Sequence, residues 1–447
     1  MNISQRIDAL PMTPTARKIM VLVGIGWLFD AMDQGMVSGV IASIGRDWAL
    51  DPTQLSLLGS AGILGMIVGA AVSGIASDRW GRRRVIVWTL VIFSVGSALC
   101  GLSLNYEMLL AARFLTGFGL GGELPAASTL VSEISPVKTR GRNVVFLESF
   151  WAWGWIAAAL VAYLLIPLYG WRVAFFVGAI PALFAAVLRR AVPESPRYLA
   201  LKGKHDEADL LVSTMEREAG IVLSPDEKDV GREQEGASAA PTSFLANLTQ
   251  LWSRKHLRTT AVIWALWFGI NFGYYGFVLW TPSLLMSQGF DMVKSFEFTL
   301  IMCLAQLPGY FSAAYLIERI GRKACLTLFL LGTAVSAWFF GQASSPEQIV
   351  AFGCLLYFFA LGSWGCVYSY TPEVYPTDIR GAGNGWAAAF GRIGALIAPL
   401  VVPVVFSLTD AERGFSLVFM LLTGVFVIVA VIVGVAGQET RGRPLDD

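Results

Sequence analysis

The sequence predicts an all-α membrane protein, with twelve spanning helices arranged as two pseudo-symmetric six-helix bundles. Three observations predict it: an apolar composition, apolar runs of spanning length that recur along the chain, and two motifs that return at one fixed offset. Of the 447 residues, 55% are apolar and 15% charged, against about 45–50% and about 25% in soluble domains. Mean hydropathy is +0.61. A net charge of +1 offers nothing to attract nucleic acid.

The N-terminal residues are polar as far as Lys18. The apolar run that follows is too long for the core of a cleavable signal peptide. It is long enough to cross a bilayer, which takes roughly 20 residues, and is expected to remain as span 1. The spans are expected at 19–44, 54–77, 85–104, 107–133, 143–168, 171–191, 258–285, 295–317, 324–343, 347–371, 383–408 and 414–436. Residues 1–193 then form an N-terminal bundle, 194–257 a linker, and 258–447 a C-terminal bundle. The linker is the one long polar stretch. Lys204-His-Asp-Glu-Ala and Glu216-Arg-Glu read as amphipathic helices, followed by a loose segment near Gly231–Pro241. The Lys/Arg distribution sets orientation. Placing both termini inside leaves Arg46, Arg172, Lys294 and Arg413 outside, Arg113 and Arg392 within spans, and the other 27 of the 33 inside.

Asp78-Arg79-Trp80-Gly81-Arg82-Arg83 returns 240 residues later as Glu318-Arg319-Ile320-Gly321-Arg322-Lys323. Glu133, Pro136, Arg140 and Gly141 return at the same offset as Glu373, Pro376, Arg380 and Gly381. One shared offset for two separate motifs implies two parallel repeats. In that architecture the substrate binds at the midplane between halves that rock against each other. Glycine serves the tight turn, and the acids and arginines suit charge-assisted bonds across the inner face. The expected gating set is Asp78, Arg79, Arg82, Glu133, Arg140, Glu318, Arg319, Arg322, Glu373 and Arg380. The plainer alternative is that these arginines only enforce topology.

The segment Gly74-Ile-Ala-Ser-Asp-Arg-Trp-Gly-Arg-Arg-Arg resembles the signature loop of the major facilitator superfamily. The stretches Arg113-Phe-Leu-Thr-Gly-Phe-Gly-Leu-Gly-Gly, Pro193-Glu-Ser-Pro-Arg and Glu439-Thr-Arg-Gly resemble its sugar-porter and metabolite–proton symporter branches. Four further blocks are similar to bacterial niacin permeases, relatives of the synaptic vesicle glycoproteins: Gly26-Trp-Leu-Phe-Asp-Ala-Met-Asp, Gly121-Gly-Glu-Leu-Pro-Ala-Ala-Ser-Thr-Leu-Val-Ser-Glu, Leu147-Glu-Ser-Phe-Trp-Ala-Trp-Gly-Trp and Leu304-Ala-Gln-Leu-Pro-Gly-Tyr. The similarity covers all twelve spans, but not the linker residues 202–245. It implies a proton-coupled importer of nicotinate in a bacterial inner membrane, with spans 1, 4, 7 and 10 lining the cavity. A monomer surrounded by lipid is expected.

Asp30, Asp33, Arg113, Glu123, Glu148 and Arg392 lie within spans. Each costs roughly 2.5–3.5 kcal/mol at a helix centre on the insertion scale, so function is the default reading and a buried ion pair the alternative. Four acids against two arginines leave an excess of negative charge, which implies that one or two carboxyls carry protons. Asp30 and Asp33, spaced i, i+3, share a helix face. They are expected to form the proton-coupling site, with Glu123 beside them. Arg113 or Arg392 could meet an anionic substrate.

Glu148, Trp151 and Trp155 share one face of span 5, and Trp27 shares a face with Asp30. Span 7 offers Asn271, Tyr274 and Tyr275, span 8 Gln306, and span 10 Trp364 and Tyr368. A flat heteroaromatic ring would stack among such side chains while amides fix its orientation; lipid-facing or packing aromatics are the alternative. Gly65, Gly69, Gly117, Gly119, Gly121 and Gly122 read as close-packing devices.

The five cysteines have no paired spacing and read as buried hydrophobes. His205 and His256 both fall in the linker, so neither a metal site nor a catalytic His constellation is expected within the bilayer. No cofactor and no enzymatic activity are expected. Competing readings are a sugar or other metabolite transporter, suggested by Pro193-Glu-Ser-Pro-Arg, and a non-transporting sensor. Drug–proton antiport is disfavoured because span 5 lacks a Gly-Pro-rich pattern.

Overall fold

A computed structural model describes residues 2–50, 52–221, 244–278, 281, 285, 298, 300–408 and 411–445. The expected loose linker near Gly231–Pro241, Lys294, and most of the outer ends of spans 7 and 8 lie outside the described residues. A short helix α1 (Ile3–Ala9) precedes α2 (Pro14–Asp47), α3 (Pro52–Trp80), α4 (Arg82–Gly101), α5 (Tyr106–Ile134) and α6 (Arg140–Leu164). Next come α7 (Ile166–Tyr169), α8 (Arg172–Ala179) and α9 (Pro181–Ala191), the last two making span 6. The linker supplies α10 (Pro196–Leu201), α11 (His205–Glu218) and α12 (Phe244–Leu251). The second half follows with α13 (Leu257–Val278), α14 (Gln306–Ile320), α15 (Arg322–Gly341), α16 (Pro346–Glu373), α17 (Arg380–Ser407) and α18 (Ala411–Ala436).

Among the described residues, nine segments are long and apolar enough to cross a bilayer. The other three expected spans correspond to α5, α6 and α17, of 29, 25 and 28 residues. These three carry Arg113, Glu123, Glu148 and Arg392. The helix starts are set locally. Thr13 accepts from the Ala16 amide ahead of Pro14, Asn105 from Met108, and Ser345 from Gln348, the usual satisfaction of orphan N–H groups.

Within the first half α2 packs along α6, and α3 and α4 along α5. In the second, α13 packs along α17, and α15 along α16 and α18. Between halves the seams are α3 with α17 and α6 with α14, equivalent pairs under the repeat. Small residues make these contacts possible. A Cβ on Gly65 would lie 2.1 Å from the Phe114 carbonyl oxygen, and one on Gly385, across the seam, 2.4 Å from that of Ala70.

The end of the bundle that bears both termini is charged, and its bonding follows the repeat. Gly81 and Gly321 have φ of +104° and +96°, with ψ of 155° and 165°, a region essentially restricted to glycine. Each opens a helix whose first amides are capped by a distant carboxylate. Glu194 accepts from the Arg82 and Arg83 amides at 2.7 and 3.1 Å; Glu439 accepts from Arg322 and Lys323 at 2.9 and 3.2 Å. Burial pushes the Glu194 carboxyl above its ordinary range, and the amides it caps pull it back.

The carboxylate ending α3 caps α17 of the other half: Asp78 accepts from the amides of Gly381 and Ala382 at 3.0 and 2.7 Å. Its counterpart Glu318 accepts from the Arg142 amide of α6 at 2.9 Å. A carboxylate at a helix N-terminus gains from the dipole and the free N–H groups together. Arg82 pairs with Glu133 at 2.9 Å and Asp78 at 3.1 Å, and Arg322 with Glu373 at 3.0 Å and Glu318 at 2.7 Å.

The symmetry fails at the arginines that open α6 and α17. Arg380 crosses to Glu133 at 3.0 Å, but its repeat mate Arg140 pairs with Asp8 at 2.6 Å and crosses to the Arg443 carbonyl at 3.3 Å. Asp8 also holds Arg197. Helix α1 is fixed there by Ile3 and Ile7 packing on Leu199, Ala200, Ala208 and Val212, and by Arg6 forked onto Glu216 at 2.8 and 2.9 Å.

Gly81→Ala and Gly321→Ala each force a Cβ into a strained backbone region and to within 2.4 Å of a capping carboxylate. Each is expected to cost about 1–3 kcal/mol, read as a lowered melting temperature of the detergent-solubilised protein. Unchanged melting would show that the loop does not need glycine there.

Candidate functional site

Between the halves lies a narrow cavity of about 30 Å³, room for water, so that its walls have to part to admit a larger ligand. Gln34 of α2, Leu124 of α5, and Glu148 and Trp151 of α6 line it from the first half. Trp267, Asn271, Tyr274 and Tyr275 of α13, Leu361, Trp364 and Tyr368 of α16, and Arg392 of α17 line it from the second.

The aromatic rings brace one another. Trp267 meets Tyr368 edge-on at 4.9 Å, Trp364 lies stacked on Tyr368 at 6.0 Å, and Tyr274 meets Trp364 at 5.8 Å. The Trp267 indole donates to Thr371 Oγ1 at 2.9 Å, and the Asn271 amide to the Trp267 carbonyl at 2.8 Å. These bonds fix the ring planes before any ligand arrives. Tyr275 donates to Gln34 Oε1 at 3.2 Å, joining the two halves over the cavity. The indole N–H of Trp364 and the amide nitrogen of Gln34 are buried without a hydrogen-bond partner among the described residues.

Eight of the residues singled out from the sequence for substrate line this cavity: Glu148, Trp151, Asn271, Tyr274, Tyr275, Trp364, Tyr368 and Arg392. Four do not. Trp27 is fully buried behind the cavity with its ring edge-on to Tyr368 at 4.9 Å. Trp155 packs beside Gly35, and Gln306 is buried near Cys303. Arg113 pairs with Asp33 at 3.3 Å. Sequence reasoning missed Gln34 and Trp267, although both were in register: Gln34 lies i+4 from Asp30, and Trp267 i−4 from Asn271. Leu124 and Leu361 carried no signal.

The acids also sort differently from the i, i+3 expectation. Asp33 is taken by Arg113, while the Asp30 carboxyl faces Glu123. Glu123 presses against α2 where Gly26 leaves room: a Cβ there would lie 2.3 Å from Glu123 Oε1. Both oxygens of each carboxyl lack a donor among the described residues. Two carboxyls so placed can hold one proton between them. Arg392 stands close enough to Asp30 to attract it. It donates to the Ala388 carbonyl of its own helix at 3.2 Å and lies near the Tyr368 hydroxyl, and it has no carboxylate partner among the described residues.

Of the residues expected to gate, Asp78, Arg82, Glu133, Arg140, Glu318, Arg322, Glu373 and Arg380 enter the charged-end network. Arg79 and Arg319 point outward, their guanidinium groups over the rings of Trp80 and Tyr315 at 5.8 and 4.5 Å. No group of three or more His, Cys, Asp or Glu that could hold a metal occurs among the described residues.

The sequence is 46% identical to the niacin transporter NiaP of Acinetobacter baylyi, over all of this chain and 99% of that protein. It is 42% identical to the putative niacin/nicotinamide transporter NiaP of Bacillus subtilis, over 96% of this chain and 98% of the relative. The proton:xylose symporter XylE, solved with 6-bromo-6-deoxy-D-glucose, superposes with a TM-score of 0.77 at 21% identity, covering 96% of this chain and 97% of that one. At that identity the likeness shows the fold. The family model described as "Sugar (and other) transporter" matches residues 34–447. The chain therefore belongs to the sugar (and other) transporter family of the major facilitator superfamily, and is a membrane transporter rather than an enzyme.

Proposed function

We propose that this protein imports nicotinate, or a similar small aromatic carboxylate, together with protons by alternating access across a bacterial inner membrane. Both termini lie in the cytoplasm, and the protein works as a monomer in lipid. One observation carries the reading: an aromatic-walled cavity holds a single guanidinium, Arg392, with no carboxylate partner among the described residues. A buried cation without a partner is costly, and a planar carboxylate answers it with two parallel bonds. The ring then lies between Trp151, Trp364, Tyr274 and Tyr368. The names of the relatives support the same cargo. A sugar is less suited, because its many hydroxyls would leave the cation unanswered.

Asp30 and Glu123 share the coupling proton, and Arg392 links it to cargo. With the substrate carboxylate bound, Arg392 attracts Asp30 less and the dyad keeps its proton; once cargo leaves, the attraction returns and the proton is released. The charged-end network closes the cytoplasmic side. Opening there has to break the Asp78 and Glu318 helix caps and the Glu133–Arg380 pair.

In proteoliposomes, nicotinate uptake is expected to be saturable and driven by an inward proton gradient, with glucose not transported. Arg392→Gln should weaken nicotinate about ten- to a hundredfold, from the loss of about 1.5–3 kcal/mol, while nicotinamide binding changes little; equal losses for both would remove Arg392 from the carboxylate. Asp30→Asn and Glu123→Gln should abolish gradient-driven uptake and spare nicotinate exchange, and normal gradient-driven uptake in both variants would exclude the dyad. Asp78→Asn with Glu318→Gln should raise labelling of a cysteine placed at Ser132, approached from the cytoplasmic side, about tenfold or more. No increase would show that the caps do not hold the closed state.

A further inference from the structure

We propose, resting on the nicotinate reading above, that Glu148 determines specificity by donating a hydrogen to the ring nitrogen of the substrate, while Arg392 holds the carboxylate from the other half. Glu148 lines the cavity from α6 and is 3% exposed. Its Oε1 has one long contact, from the Tyr310 hydroxyl at 3.4 Å, and its Oε2 has no hydrogen-bond partner among the described residues. No Lys or Arg among the described residues pairs with it. Of the other intramembrane acids among the described residues, Asp33 pairs with Arg113, and Asp30 and Glu123 face each other on α2 and α5, away from the lining. Glu148 is the acid left facing the space where cargo sits.

Its placement gives the cavity two unlike ends. The hydroxyls of Tyr275 and Tyr368 feel both Arg392 and Glu148, yet the two charged groups make no ion pair with each other. Glu148 enters the lining on α6 of the first half and Arg392 on α17 of the second. A pyridine carboxylate has the matching asymmetry, an anion at one edge of the ring and a lone-pair nitrogen at another. The Tyr275 hydroxyl already donates to Gln34; among the described residues the Trp364 indole N–H and the Gln34 amide nitrogen are the other unpartnered donors of the lining, and neither brings the titrating proton that Glu148 does.

Charge balance points the same way. A carboxylate substrate neutralises Arg392, and an ionised Glu148 would then be a buried charge with no partner. One proton on Glu148 leaves the filled cavity neutral, with the O–H directed at the ring nitrogen. No bond of the ring changes, and the proton returns to solvent when the substrate departs. The ionisable groups facing Glu148 are Tyr310 from α14, Tyr275 from α13 and Tyr368 from α16, with Tyr274 beside Tyr310. From α2 and α5, Asp30 and Glu123 face each other. A benzene carboxylate offers no acceptor, so the Glu148 hydroxyl would stay buried and unsatisfied, the situation that gives polar sites their discrimination.

The test is equilibrium binding to the purified full-length protein of nicotinate, benzoate, and the pyridine-2- and pyridine-4-carboxylates, from acid to neutral pH. The unaltered protein should prefer nicotinate to benzoate about ten- to a hundredfold, and prefer it to both pyridine isomers. Glu148→Ala should bring the nicotinate-to-benzoate ratio close to one. Glu148→Gln, whose amide donates without a titrating proton, should restore the preference while flattening its pH dependence. An unchanged ratio in Glu148→Ala, loss of preference in Glu148→Gln, or equal binding of the three pyridine isomers would each overturn the assignment to Glu148. Binding of neither nicotinate nor benzoate by the unaltered protein would overturn the nicotinate reading itself.

Discussion

Charge inside a hydrocarbon layer has to be answered, and most of this structure can be understood as the set of answers. Arg82, Arg322 and Arg380 are buried to 0–1% exposure, and each reaches at least one carboxylate. Arg113 has Asp33. Where an answer is complete, the group holds helices together. Among the described residues, four groups near the centre of the bundle have no opposite charge in contact: Arg392, Glu148, Asp30 and Glu123. Under the transport reading, the missing counter-charges are the substrate and the proton.

The fold was legible because the bilayer imposes it. A spanning helix must satisfy its own backbone, so apolar length translates into architecture, and the 240-residue offset supplied the division into halves. The cavity was legible where helical register could be followed. Trp151 and Glu148, or Trp364 and Tyr368, share a face in any α-helix, and the structure brings those faces together. Register could not reveal which face meets which neighbour. Asp30 and Asp33 share a side of α2, yet Arg113 captures one and Glu123 the other, because α5 supplies both groups at different heights. Arg113 and Arg392 looked equivalent for the same reason. The distinction between a paired and an unpaired arginine is tertiary.

The Pro193-Glu-Ser-Pro-Arg and Glu439-Thr-Arg-Gly stretches carried resemblance before they carried a physical role. In the structure their glutamates do the same work, capping α4 and α15 from the far end of each half. A helix beginning at a glycine with positive φ has no side chain of its own to cap it, so the cap comes from elsewhere in the chain. The loop glycine and the remote glutamate are two parts of one device, which explains why both appear in both repeats.

The diversion of Arg140 to Asp8 leaves the seams between the halves unequally fastened. The α3–α17 seam has the Glu133–Arg380 bridge in addition to its helix cap. At the α6–α14 seam the equivalent arginine pairs with Asp8 of α1 and, among the described residues, bonds to the other half only at the Arg443 carbonyl, at 3.3 Å. A body joined more firmly along one edge does not part evenly. Under the transport reading, parting the α3–α17 edge has to break an ion pair where the opposite edge has a bond to a backbone carbonyl, so one aspartate near the N-terminus makes a nearly two-fold scaffold unequal.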